Sequence, residues 1–198
     1  CSGSDIAYED VNGVKTAFIG IYALDSGTDK IPDVQNAVSE AKAQDAQIIV
    51  VHFHWSQELA TDVDEDQKAL AHAAIDAGAA LVVGTHPHVL QGIEKYNGRY
   101  IVYSLANFCF GGNVTPADSD SIIFQQTFTV DEKGVEQDDN LSVIPVCTSS
   151  DSGSNNYQPV PVTSDAASAV MTKLNTRSQP FGLNLDQYET DGTASEGQ

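Results

Sequence analysis

Apolar positions in the first 85 residues change rhythm several times, and each change marks an element. Tyr8 to Val11 and Val14 to Tyr22 flank Asn12-Gly13, the dipeptide favoured where both turn residues take positive φ, so 6–23 reads as a β-hairpin. Ala17, Ile19 and Ile21 alternate along its second strand and define one buried face. From Pro32 to about Ala43 the spacing becomes helical, with Val34, Ala37, Val38 and Ala41 on one side. Residues 47–54 (Gln-Ile-Ile-Val-Val-His-Phe-His) form a continuous apolar run, the pattern of a strand covered on both faces of an α/β sheet. A second helix is expected over 62–77. Asp62, Asp64, Glu65 and Asp66 crowd its start, favourable against the helix dipole, and Gly78 stops it. Residues 79–84 then repeat the buried-strand pattern. Strand, helix and strand over this length predict a βαβ unit with parallel strands and a right-handed crossover.

The remainder is β-rich. Ile93 to Tyr96 and Tyr100 to Leu105 flank a second Asn-Gly turn at Asn97-Gly98. An acidic loop over 111–120 leads to strands near 122–130 and 141–147, joined through Glu132-Lys133-Gly134, and 165–177 reads as a modest helix. There are no internal repeats. The expected class is α/β, with one unit over residues 1–180 and an acidic, disordered tail over 181–198.

Charge narrows the partners. Nine Lys+Arg against 28 Asp+Glu leave a net charge of −19, a surface that repels nucleic acid and anionic lipid. No apolar run approaches the ~20 residues needed to span a bilayer as a helix. Cys1, Cys109 and Cys147 lack metal-type spacing. Cys109, between Phe108 and Phe110, reads as a buried thiol; a bridge to Cys147 is open but not required. With neither an initiator methionine nor a signal peptide, the chain reads as a processed product or a fragment. Asp62, Asp64 and Asp66 match the opening of a calcium loop. Gln67 stands where that loop needs glycine and Ala73 where it needs glutamate, so an acidic helix start is the better reading.

The candidate chemistry lies in Val82-Val83-Gly84-Thr85-His86-Pro87-His88. Proline biases the residue before it toward an extended backbone, and extended residues i and i+2 point to one side. On that reasoning His86 and His88 present two imidazoles to one point, as a metal ion requires. His54 ends the preceding parallel strand, at the carboxyl edge where open α/β sheets place ligands. The three histidines are expected to converge on that edge, with Trp55 packed beside them and His52 as a hydrogen-bonded core histidine.

The runs His54-Trp55-Ser56-Gln57-Glu58, Gln67, Ile75-Asp76-Ala77-Gly78-Ala79, Gly84-Thr85-His86-Pro87-His88-Val89-Leu90-Gln91 and Tyr103-Ser104-Leu105-Ala106-Asn107-Phe108 resemble the bacterial capsule-synthesis family called CapA or PgsA, linked to poly-γ-glutamate. The matches fall in order over 47–110, with weaker similarity from about 6 to 180. That family is similar to the calcineurin-like metallophosphoesterases. The resemblance therefore implies the C-terminal half of a four-layer α/β/β/α sandwich, with a β-rich portion after the histidine loop. It implies His54, His86 and His88 as ligands of a divalent metal (zinc, manganese or iron), and Glu58, Gln67 and Asn107 as residues that line the pocket and orient substrate. Two departures stand out: Ser56 and Ala106 occupy positions where the family carries glycine.

The family's first half, with its Asp-bearing strand end and Asn-His motif, has no counterpart here. The resemblance thus implies half a metal site, completed by an N-terminal half supplied as a separate or cleaved chain. It further implies an extracellular or cell-surface bacterial protein acting on a polymer or small-molecule substrate. Two classes of role stay open: a metal-dependent hydrolase or transferase, and a non-catalytic capsule-assembly or surface-binding component.

Overall fold

A computed structural model describes residues 5–112, 114–132 and 134–185. The chain is a mixed α/β protein with two sheets. The larger has six strands in the order β1-β2-β3-β4-β6-β5. Strands β1 (Asp5–Val11) and β2 (Val14–Tyr22) form the expected hairpin, with Asn12 and Gly13 both at positive φ. Helix α1 (Ile31–Ala43) crosses over to β3 (Ile48–His54), and α2 (Glu65–Ala77) crosses from there to β4 (Leu81–Thr85). Strands β2, β3 and β4 run parallel, as the βαβ pattern requires. Strands β5 (Ile93–Tyr96) and β6 (Arg99–Val102) close the sheet as a hairpin over Asn97-Gly98, with β6 parallel to β4.

Helix α2 starts three residues later than its acidic run suggested. Asp64 is the N-cap: its carboxylate accepts from the Gln67 backbone N–H at 2.7 Å, and the Gln67 side chain accepts from the Asp64 N–H at 3.1 Å. This reciprocal pair satisfies two donors of the first turn, and Asp62 lies outside the helix. Helices α1 and α2 cover one face of the large sheet. Val34, Ala37, Val38 and Ala41 pack with Leu70, Ala71, Ala74 and Ile75 against Ala17, Ile19, Val51 and Phe53.

The expectation that 47–54 is covered on both faces is corrected. Ile49, Val51 and Phe53 are buried, whereas Ile48, Val50 and His54 are half-buried and His52 is exposed. His52 is therefore not a core histidine. The second sheet, β7 (Asp120–Asp131), β8 (Gly134–Cys147) and β9 (Val160–Pro161), covers only part of the opposite face. Its Ile122, Leu141 and Val143 join Tyr100 and Val102 of β6, Leu90, Ile93, and Val170 and Leu174 of α3 (Ser164–Ser178) in a second core. Over β2 and β3 that face stays open. Val11, Phe18 and Tyr22 are exposed, and an apolar groove of about 490 Å³ runs between Thr16, Phe18, Ile48 and Val50 on one sheet and Phe128 and Val130 on the other.

Strand β8 begins seven residues before the expected 141, because backbone pairing with β7 continues through the polar stretch that hid it. Leu183 and Leu185 are buried in the second core, so packing extends into the segment expected to be a disordered tail; residues 186–198 lie outside the described residues. Lys133 of the predicted turn and Cys1 also lie outside them. Cys109 is exposed rather than buried, and Cys109 and Cys147 are both free thiols.

Candidate metal centre

The carboxyl ends of β3 and β4 lie side by side, with His54 paired in register to Thr85. From that edge two loops rise and lock together. The Trp55 N–H donates to the Thr85 carbonyl at 3.3 Å, and the Leu59 N–H donates to the Pro87 carbonyl at 2.8 Å. Between these two anchors hangs Glu58.

His86 and His88 converge, but not for the reason the sequence offered. Neither is extended: His86 sits at φ 99° and His88 at φ 58°. The loop turns through left-handed conformations that cost a non-glycine residue on the order of 1–3 kcal/mol each, so the surrounding contacts must hold them. Ser56, Leu59 and Ala106 around the same edge also take positive φ. Ser56 and Ala106 are the two positions where the related family carries glycine, which the backbone here explains.

The imidazoles of His86 and His88 and the carboxylate of Glu58 form a group whose ligating atoms all lie within 4.8 Å of one another. Two imidazole nitrogens and a carboxylate suit zinc, manganese or iron alike. His54 is adjacent but outside this group. Its ring lies 4.7 Å from that of His86 and stacks at 5.6 Å on Tyr22, and its Nδ1 is 3.5 Å from the Thr85 hydroxyl. Burial holds the His54 imidazole below the ordinary histidine range, with the neighbouring His86, His52 and His88 adding to the effect. His86 is lowered for the same first reason and by His88, against an opposing pull from Glu58. Neutral imidazole is the form that ligates.

Asn107 is buried, and its side chain engages His88 rather than open space. The His88 Nδ1–H donates to Asn107 Oδ1 at 2.6 Å, and the Asn107 amide donates back to the His88 carbonyl at 3.3 Å. Gln67, expected to orient substrate, is almost wholly buried; its amide pairs with that of Gln91 and its oxygen caps α2.

Gln91 itself was missed by sequence reasoning. Fully buried, it donates to the carbonyls of Ala60 and Asp62 at 3.1 Å each and so ties down the loop that carries Glu58. Its signal was a lone amide within the apolar run Val89-Leu90-Gln91-Gly92-Ile93, where a buried polar side chain must find partners. Trp55 packs beneath the site as expected, stacked on Phe53 at 4.5 Å and donating its indole N–H to the Tyr103 carbonyl at 3.0 Å.

The class is thus a mixed α/β protein with two histidines and a glutamate gathered at the carboxyl edge of parallel strands. The chain belongs to the bacterial capsule synthesis protein PGA_cap family, whose model matches residues 4–112. It is 44% identical over 117 residues to the PGA biosynthesis protein CapA of Bacillus subtilis (strain 168), covering 53% of this chain and 30% of that protein. It is 32% identical over 134 residues to the capsule biosynthesis protein CapA of Bacillus anthracis, covering 60% of this chain and 33% of that protein. The match spans about a third of the length of each of these curated relatives. Among solved structures, a hypothetical protein from Thermus thermophilus aligns with a TM-score of 0.48 at 17% identity, over 71% of this chain and 61% of that one.

Proposed function

We propose that this chain is the metal-carrying half of a cell-surface hydrolase or transferase that acts in the synthesis or processing of a capsule polymer such as poly-γ-glutamate. The observation that carries this reading is the convergence of His86, His88 and Glu58 beside His54 at one sheet edge, in a chain of a capsule-synthesis family. A divalent metal held there would supply an activated water or a polarised oxygen for attack on a phosphate ester or an amide-type linkage. His54, His86 and His88 would hold it, with Asn107 fixing the ring of His88.

The proposed assembly is a calcineurin-like sandwich completed by an N-terminal half. What supports it is the open apolar face over β2 and β3, together with β7, which among the described residues pairs with β8 alone and leaves its other edge available. An exposed apolar face flanked by a free strand edge invites a further layer of sheet. The missing half would bring the carboxylates that neutralise and bridge a two-metal centre.

Metal analysis of the assembled two-half protein, followed by metal-dependent phosphodiester turnover, tests the reading. His86→Ala is expected to lose both metal and turnover. Bound metal without turnover of ester or polymer would replace catalysis with a role in capsule assembly.

A further inference from the structure

We infer that the cavity beside His88 is a subsite for a sugar ring, which makes the substrate class of this edge a sugar phosphate ester, with the phosphate toward the histidines and the pyranose in the cavity. The inference deepens the proposed function and rests on it for the phosphate alone; the ring subsite stands on the cavity itself.

A cavity of about 190 Å³ adjoins the histidine edge and shares Glu58 and His88 with it. Whole small-molecule sites run to roughly 300–1,000 Å³, so this one suits a single unit of a substrate. Leu59, Phe110 and Pro116 supply its apolar surface, and Glu58, His88 and Asn107 its polar surface. The Asn107 amide and the His88 Nδ1 are already engaged with each other. Glu58 is exposed, and among the described residues no hydrogen bond or ion pair engages its carboxylate. The free hydrogen-bonding capacity beside the apolar surface is therefore that of an acceptor.

The apolar wall is fixed by contacts from distant segments. The Phe110 carbonyl accepts from the side-chain amide of Asn155 at 2.8 Å, and the Val114 carbonyl accepts from the Asn155 N–H at 2.8 Å. Asn155 is buried. Lys173 of α3 pairs with Asp118 and Asp120, which closely follow Pro116. Leu59 is tied to Pro87 through its N–H, and the Phe110 ring lies 5.0 Å from that of His88. A wall held in this way needs little ordering when a ligand arrives. It is nevertheless uncovered, with Leu59 55% exposed.

The chemistry of the lining selects the occupant. A glutamate unit with a free carboxylate would face Glu58 with no lysine or arginine among the described lining residues, in a chain of net charge −19. An ammonium group would stand beside the divalent ion of the proposed function. A wholly apolar group would strip water from Glu58 and offer it no partner. A pyranose meets none of these objections. Its hydroxyls donate to the carboxylate, and its weakly positive C–H face packs on the negative face of an aromatic ring and on Leu59 and Pro116.

The test is NMR titration of the zinc-loaded chain with inorganic phosphate, glucose 1-phosphate and tri-γ-glutamate, and of the metal-free chain with methyl glucoside. Glucose 1-phosphate is expected to bind about tenfold more tightly than inorganic phosphate. Methyl glucoside should shift the backbone resonances of Leu59 and Phe110. Phe110→Ala and Leu59→Ser should each cut the advantage of the sugar by about threefold or more and leave phosphate affinity unchanged. Leu59 is exposed, so its variant keeps the fold, and circular dichroism verifies both. Three results would overturn the subsite: glucose 1-phosphate no tighter than phosphate, an advantage unaltered in both variants, or tri-γ-glutamate shifting Leu59 and Phe110 at lower concentration than glucose 1-phosphate. The arms also separate the two readings. Zinc and phosphate bound with no gain from the ring removes the subsite and leaves the proposed function standing. No zinc bound, with methyl glucoside still shifting Leu59 and Phe110, removes the proposed metal centre and leaves the ring subsite. Absence of both responses removes both.

Discussion

His88 and Asn107 hold each other by two hydrogen bonds, one from the imidazole Nδ1–H to the amide oxygen at 2.6 Å and one from the amide to the His88 carbonyl at 3.3 Å. The return bond from the amide sets which end of Asn107 faces the ring, and an amide oxygen can only accept. His88 is therefore the Nδ1–H tautomer. Long-range nitrogen–proton NMR spectra of the metal-free protein are expected to show that tautomer. Asn107→Ala should release the ring and lower the zinc affinity of the proposed metal site about 10–100-fold while leaving the fold intact. A His88 signal from the Nε2–H tautomer in the unaltered protein would refute the arrangement.

Gly84 has no room for a side chain. A Cβ there would stand 2.0 Å from the Tyr103 carbonyl oxygen and 2.5 Å from the Trp55 indole nitrogen, the two atoms that hydrogen-bond to each other across it. Gly84→Ala is expected to destabilise by at least about 3 kcal/mol, since backbone and a fully buried indole must both move. Thermal unfolding should drop by roughly 6–12 °C. Trp55 is the sole tryptophan, so its fluorescence reports the displacement directly.

Ala106 offers the opposite change. At φ 63° its Cβ carries a left-handed penalty of about 1–2 kcal/mol, partly offset by the roughly 0.5–1 kcal/mol of backbone entropy a glycine loses on folding. Ala106→Gly should stabilise by about 0.5–1 kcal/mol, visible as a rise of a few degrees in the melting temperature. A fall would mean that the Ala106 methyl, packed at the edge of the second core, outweighs the backbone gain.

Gln91→Ala removes the amide that ties down the carbonyls of Ala60 and Asp62 and leaves the buried Gln67 without its pair. A loss of about 2–4 kcal/mol is expected from the orphaned buried groups. Hydrogen exchange should show faster opening across residues 56–64. Protection there equal to that of the unaltered protein would count against the clamp.

Acidification provides a further check in the metal-free protein. His54 and His86 both titrate below the ordinary histidine value of 6.5, chiefly through burial and then through neighbouring histidines. On acidification the unfolded chain takes up these protons first. The stability they confer is therefore present above about pH 6.5 and is lost as pH falls through the lowered folded-state values. Between about pH 7.5 and pH 5.5, the unaltered protein should lose more stability than a His54→Ala/His86→Ala variant.

Local rules made most of the architecture legible in advance. Asn-Gly turns, the helical spacing of Val34, Ala37, Val38 and Ala41, and the two short apolar runs act over a few residues, and each named its element and the parallel pairing of β3 with β4. The family likeness carried by His54, His86 and His88 was legible in the same way, because those side chains stand in contiguous motifs. Three matters depended on contacts between distant segments. An apolar run such as 47–54 records hydrophobicity but not what covers it, so the open face over β2 and β3 emerged only when the second sheet was seen to pack at the other end. The backbone of His86-Pro87-His88 is set by bonds from the 55–60 loop and from Asn107, which override the local preference for extension. Glu58 joins the histidines because Leu59 binds Pro87 and Gln91 binds Ala60 and Asp62, hydrogen bonds that span about thirty positions in the chain. Motif and period are properties of neighbours in sequence, whereas the direction a loop side chain faces is settled by whatever packs against that loop.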